Sequence, residues 1–315
     1  AVAGGESDHP LGIGDDAAVT VPGGATATST DALVDGVHFR SRWCPPAAAG
    51  HKALAAALSD LAAMGAEPGE AYLWLGRPEG MSDADCLELC DGAAEVCRAA
   101  GVAMLGGDLT RAPALALCAT VVGHAAQPGD FVSRAGAGAG DVVCVSGELG
   151  GAPAGLLLLD HPEVAGGLRA EVVEALRRRQ LRPEPRLAAG RALAAAGARA
   201  MIDISDGLGA DAEHLAAASG VAIEIELSRV PVAPGVAEVA AEAGLDHLDL
   251  LASGGEDYEL LVALPRARLA GAKRALGELG ESLTEIGSVG AGAGVRLRLA
   301  GGRSVTARGH DHLAP

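Results

Sequence analysis

Along most of the chain, short β-prone runs alternate with Ala- and Leu-rich runs of helical period. This alternation restricts the fold to a mixed α/β (α+β) architecture with helices packed on mixed sheets. The pattern predicts strands over Ala17–Val21, Ala25–Thr30, Ala114–Gly123, Val142–Ser146, Ala200–Ile204, Ala222–Glu226 and Tyr258–Ala263. It predicts helices over Ala47–Met64, Ser82–Ala100, Ala170–Leu181, Pro185–Ala196 and Asp211–Ala218. Hydrophobic residues make up 49% of the chain and aromatics only 2%, so Ala, Val and Leu must build the core and let elements approach closely. The 315 residues suffice for two domains. The Gly/Ala stretch Arg134–Asp141 reads as a flexible linker between a β-rich first part and a helix-rich second. Gly290–Gly294 reads as a hairpin turn.

A net charge of −17 argues against a nucleic-acid surface, which needs clustered Lys and Arg. No run of about 18 apolar residues suggests a membrane span, and no signal segment opens the chain. Six cysteines without a C-x-x-C pair, three of them Cys86, Cys90 and Cys97 on one expected helix, read as buried thiols of a cytoplasmic protein. Lysine occurs only at Lys52 and Lys273, and neither follows a G-x-x-x-x-G loop. That excludes a Walker-type phosphate loop and a kinase-type lysine clamp. There is no dinucleotide fingerprint, zinc helix or nucleophile elbow either.

What the chain does carry is aspartate set among small residues. Five segments recur: Gly12-Ile-Gly-Asp-Asp16, Ser29-Thr-Asp31, Ser59-Asp60, Gly106-Gly-Asp108 and Asp203-Ile-Ser-Asp206. Most follow an apolar run, which puts the carboxylates at strand ends, where open α/β folds form ligand sites. Asp60 falls on the flank of the Leu54, Leu58, Leu61, Met64 stripe rather than opposite it. Converging carboxylates without cationic partners repel one another, and hard divalent ions such as Mg²⁺ relieve that penalty. Each Asp taken singly fits a helix cap or turn equally well. Asp206 is an N-cap candidate, with Ser205 and the neighbouring amides expected to face a bound phosphate. Glu256 and Asp257 fit a solvated turn as well as a site.

Read in order, GIGDDAAV, STDALVDGVHF, LSDLAAMGAEP, GGDLTR, SRAGAGAGD, IDISDGL, SGGEDYEL and GHDH resemble the thiamine-monophosphate kinase family over about 300 residues. The resemblance implies the two-domain aminoimidazole-ribonucleotide-synthetase-like fold and a homodimer. Residues 1–134 would be an ATP/Mg²⁺-binding and dimerisation domain, and residues 135–315 a domain completing the nucleotide and substrate site. It also implies the reaction: ATP-dependent phosphorylation of thiamine monophosphate to thiamine diphosphate by direct transfer, with several Mg²⁺ ions. By the same resemblance, Asp16, Ser29, Thr30, Asp31, Asp60, Asp108, Asp203 and Asp206 would serve the metals, with Asp15 behind them. Asp108 and Asp206 would be catalytic; Gly107, Asp108, Arg134 and Ser205 would bind ATP; His38, Glu256 and His310 would contact substrate.

The chain departs from the family pattern at three places. His310 stands where an aromatic is usual, Leu109 where Thr is common, and the familiar segment before Gly12 is not recognisable. Two other readings compete. One is another ATP-using synthetase of the same fold, against which the first cysteine, Cys44, lies too late for a selenophosphate synthetase. The His-Leu-Ala-Pro end likewise lacks the cysteine of a hydrogenase-maturation enzyme. The other is a non-catalytic nucleotide- or metal-binding regulator, which would not need so many acidic motifs.

Overall fold

The structure, a computed structural model, describes residues 13, 17–299 and 304–305. The chain divides into two compact units, one of residues 1–61 and 66–131, the other of residues 62–65 and 132–315.

The first unit comprises β1 (Ala25–Val34), α1 (Pro46–Ala63), β2 (Glu67–Arg77), α2 (Asp83–Ala100), β3 (Ala103–Arg111) and β4 (Ala116–Ala125). Its sheet has the order β1-β4-β2-β3. β4 pairs antiparallel with β1 and β2, while β2 and β3 run parallel across the α2 crossover. Burial alternates along β1 and β4, so one face is covered and the other open. Ser29, Asp31, Ala119, Val121 and Leu73 share the covered face. α1 and α2 meet backbone to backbone: a Cβ added at Gly50 would come within 1.9 Å of the Leu89 carbonyl, and one at Gly92 equally close to that of Ala47. Here the scarcity of large side chains becomes geometry. α2 starts at a Ser82–Asp85 capping box and stops at Gly101 in the left-handed region.

The second unit comprises β5 (Asp141–Ser146), α3 (Gly151–Asp160), α4 (Ala170–Leu181), α5 (Leu187–Ala196), β6 (Ala200–Asp203), α6 (Leu208–Ser219) and β7 (Ala222–Glu226). It continues with α7 (Val236–Glu242), α8 (His247–Ser253), β8 (Leu260–Pro265), α9 (Leu269–Glu278), β9 (Leu283–Gly290), β10 (Gly294–Arg298) and β11 (Ser304–Val305). Its sheet has the order β11-β10-β7-β9-β5-β8-β6. Val143, Val145, Ile202, Ile223, Leu261 and Ile286 of the sheet pack with Leu208 and Leu215 of α6 in one core. Leu158, Val173, Leu176 and Val239 join α3, α4 and α7 in a second.

Three expectations are corrected. Ala17–Val21 forms no strand, only an isolated bridge at Val19. Gly290–Gly294 makes no hairpin, because β7 lies between β9 and β10 and pairs with both. The stretch at 134–141 is a strap bound along its length rather than a free linker. Ala137 N donates to Ser219 Oγ at 3.2 Å, Gly138 N to Asp141 Oδ2 at 2.8 Å and Gly140 N to the Val289 carbonyl at 2.9 Å. Gly136 serves close approach, since a Cβ there would meet the Arg199 carbonyl at 2.6 Å.

Candidate functional site

In the first unit, β1 and α1 bring two of the expected groups together. Ser29 Oγ donates a short hydrogen bond to Asp60 Oδ2, and Asp31 follows on the same covered face. Asp60 sits near the end of α1, a helix buried on almost every side. Thr30 is not brought to this group. The alternation of β1 turns its hydroxyl to the open face, where it meets Thr120 Oγ1 at 2.9 Å.

Asp108 also lies apart. It pairs in register with Trp74 on β2, whereas Asp31 pairs with Ala119 and, through it, with Leu73. Two strands therefore separate Asp108 from Asp31, roughly 14 Å at about 4.8 Å per strand, and the register puts them on opposite faces. Gly107 and Asp108 instead line a cavity of about 980 Å³ with Ile13, Tyr72, Leu87 and Cys90. Gly107 permits the bend, since a Cβ there would meet the Leu73 carbonyl at 2.0 Å. Cys90, expected to be buried, is exposed on this wall.

His38 closes the turn after β1. Its Nδ1 accepts from Val34 N at 3.0 Å, so a neutral ring carries its proton on Nε2. Asp15, Asp16 and His310 lie outside the described residues.

In the second unit, β6 delivers Asp203 to the start of a turn that α6 follows. Asp206 is no cap. The N-cap position belongs to Gly207, and Asp211 reaches back from the first turn of α6. Its Oδ2 accepts from the amides of Ser205, Asp206 and Gly207, each at 3.1 Å. Those amides, expected to face a phosphate, are therefore already engaged by Asp211. Burial, with the nearby Asp203 and Asp206 charges, pushes the Asp211 carboxyl up to about 8.

The Glu256 segment is bonded to this turn. Glu256 N donates to the Ser205 carbonyl at 2.8 Å and Tyr258 N to that of Ile204 at 2.9 Å. Gly255 and Gly207 make the approach feasible, because a Cβ on Gly255 would lie 2.3 Å from the Ser205 carbonyl. Asp257 is not a solvated turn residue. Its two carboxylate oxygens accept from Gly150 N at 2.6 Å and Ala152 N at 2.9 Å, at the start of α3. Burial nonetheless pushes its carboxyl up to about 7. Glu259, also unmarked in the sequence reading, is buried against a two-pronged Arg186 at 3.1 and 2.7 Å. Arg134 is exposed on the strap, whose Ser133 carbonyl accepts from Met201 of β6 at 3.0 Å.

Among the described residues no three His, Cys, Asp or Glu side chains form a ready-made metal cage. The donors present are hard oxygens, and the mutual repulsion of Asp203, Asp206 and Asp211 is what a divalent cation relieves. The residues thus fit Mg²⁺, held by one or two carboxylates per ion with a ligand's oxygens completing the set.

Comparison with known proteins agrees with this fold. Residues 14–125 match the AIR synthase related protein, N-terminal domain, and residues 138–300 the corresponding C-terminal domain. The thiamine-monophosphate kinase of Mycobacterium tuberculosis (strain CDC 1551 / Oshkosh) is 40% identical over 253 residues, 80% of this chain and 74% of that one. The crystal structure of thiamine-monophosphate kinase from Stenotrophomonas maltophilia K279a superposes with a TM-score of 0.86 at 35% identity, covering 96% of this chain and 93% of that chain. AaThiL complexed with AMPPCP and TMP gives a TM-score of 0.80 at 34% identity, covering 94% and 90%. With both domains matched in order and the similarity covering most of its length, the chain belongs to the thiamine-monophosphate kinase family of AIR-synthase-related proteins.

Proposed function

We propose that this chain transfers the γ-phosphoryl group of ATP directly to the phosphate of thiamine monophosphate, giving thiamine diphosphate and ADP. The observation that supports this reading is the backbone bonding of the Glu256 segment to the Ser205 turn, which joins two of the motifs that the reading assigns to one site. The family relatives and the neighbour that holds AMPPCP and TMP supply the identity of the ligands.

In this reading the first unit gives Gly107 and Asp108 to the nucleotide, Ser29, Asp31, Asp60, Asp108 and Asp16 to the cations, and His38 to substrate. The second gives Asp203 and Asp206 to cations, Ser205 and Arg134 to the nucleotide phosphates, and Glu256 to substrate. When bound, Mg²⁺ neutralises the phosphate oxygens, so that two anions can meet without a phosphate-loop lysine. The separation of Asp108 from Asp31 supports more than one ion. Asp211 holds the turn in shape without touching the reacting atoms.

The protein acts as a homodimer in the cytoplasm. The open face of the small sheet, with Tyr72, Trp74, Cys118 and Val122 half-buried, supports the first point, and the six free cysteines the second. No helix among the described residues is long and apolar enough to cross a membrane.

Purified protein incubated with Mg²⁺-ATP and thiamine monophosphate should form ADP and thiamine diphosphate in equal amounts. Absence of substrate-dependent ADP rejects the assignment. Asp108→Asn should lower turnover at least about a hundredfold, as loss of a transition-state charge contact does, without changing the melting temperature.

A further inference from the structure

Glu256 is held from three sides. It has φ 68° and Tyr258 has φ 50°, so two non-glycine residues around Asp257 occupy the left-handed region. Such strain persists only where the surroundings impose it, and here the bonds to Ser205, Ile204, Gly150 and Ala152 do so. The third constraint acts on the side chain. Gln180 of α4, 1% exposed, donates from Nε2 to Glu256 Oε2 at 2.5 Å.

The orientation of that amide follows from charge. An ionised carboxylate only accepts, so the NH₂ group of Gln180 must face it. Its Oε1 is then turned elsewhere, and it is buried without a protein hydrogen-bond partner. A buried acceptor left unmatched opposes folding, so this amide is kept at a cost in stability. A Leu or Met in that place would fill α4 without this cost.

We propose that Gln180 is a positioning and specificity-determining residue. It fixes the Glu256 carboxylate for the amino-heterocycle end of the substrate. This rests on the reading that Glu256 contacts thiamine monophosphate. An aminopyrimidine presents N–H donors on its exocyclic amine, which a carboxylate held in place can accept. Loss of Gln180 weakens recognition of thiamine monophosphate and leaves ATP recognition in place.

The test uses the full chain with Glu256→Gln, Gln180→Met and Gln180→Glu. KM is measured separately for thiamine monophosphate and for ATP, and thiamine monophosphate binding is measured by calorimetry without nucleotide. Glu256→Gln should raise KM for thiamine monophosphate about tenfold, the scale of one charge-assisted hydrogen bond. Gln180→Met should weaken binding of thiamine monophosphate about five- to tenfold, while KM for ATP moves less than about twofold and the melting temperature holds or rises. Gln180→Glu places like charges together; its KM for thiamine monophosphate should be worst at neutral pH and recover toward acid, where the two carboxyls share a proton. If Glu256→Gln weakens binding and neither Gln180 variant does, the proposal is overturned while the reading of Glu256 stands. If Glu256→Gln has no effect on KM for thiamine monophosphate, the reading of Glu256 falls and the role of Gln180 with it. Equal losses for ATP and thiamine monophosphate with a lowered melting temperature would reduce Gln180 to a packing residue.

Discussion

Asp211 and Asp257 show how much of a site can rest on carboxylates bound to the backbone. Asp211 ties amides to itself across a turn and Asp257 at the start of α3, and each keeps its proton to a pH far above the ordinary aspartate range. For Asp257 this has a definite sign. Its folded value of about 7 stands above the ordinary 3.8, so its contribution to stability is complete below 3.8 and is lost as pH rises through about 7. Thermal unfolding of nucleotide-free protein in chelator should therefore show a decline over that window that Asp257→Asn flattens. At pH 5 the variant should be the less stable protein by about 1–3 kcal/mol, because its NH₂ opposes one of the two backbone donors. A variant curve parallel to the wild type would contradict the assignment. Asp257 reads in the sequence only as a turn residue, since an aspartate that caps a distant helix has no local pattern. Gln180 was illegible for the same reason: its partner is 76 residues away.

Among the elements, the helices with clear apolar stripes and caps were the readable ones. α1, α2 and α4 fall within a residue of their expected spans because Leu and Ala recur at helical spacing and Ser82 and Gly101 mark the ends of α2. β2 and β3 escaped notice. Pro68, Gly69 and Gly76 interrupt the first, and Gly106 and Gly107 the second, so local preference runs against strand. They are strands because neighbours pair with them on the sheet, which no local window contains. The glycines themselves separate into classes. Gly50→Ala would drive a Cβ to 1.9 Å from the Leu89 carbonyl and should cost about 1–3 kcal/mol or more as the helices part. Gly277→Ala, in α9 with nothing within 4 Å, should stabilise by about 0.5–1 kcal/mol. Denaturant midpoints of the two variants check the contrast, and equal shifts would refute the close-packing account.

For the molecule as a whole, the order of acidic motifs carried the family, while the geometry of the site lay beyond reach of the sequence. The scatter of Asp31, Asp108 and Asp203 along the chain says nothing of which face or edge each occupies. The open face of the four-stranded sheet supports a pairing of two copies. Sedimentation should give the dimer mass for wild type and the monomer mass for Val122→Glu, which sets a charge on that face; a monomeric wild type would remove the proposal. One consequence follows from the hydrogen bonds between the 204–205 and 256–258 segments. Loops usually exchange their amide hydrogens with solvent in seconds, but these amides are locked as strand amides are. Deuterium uptake at Glu256 and Tyr258 should therefore run on the clock of β8, over hours, so that substrate meets a surface already set before it arrives.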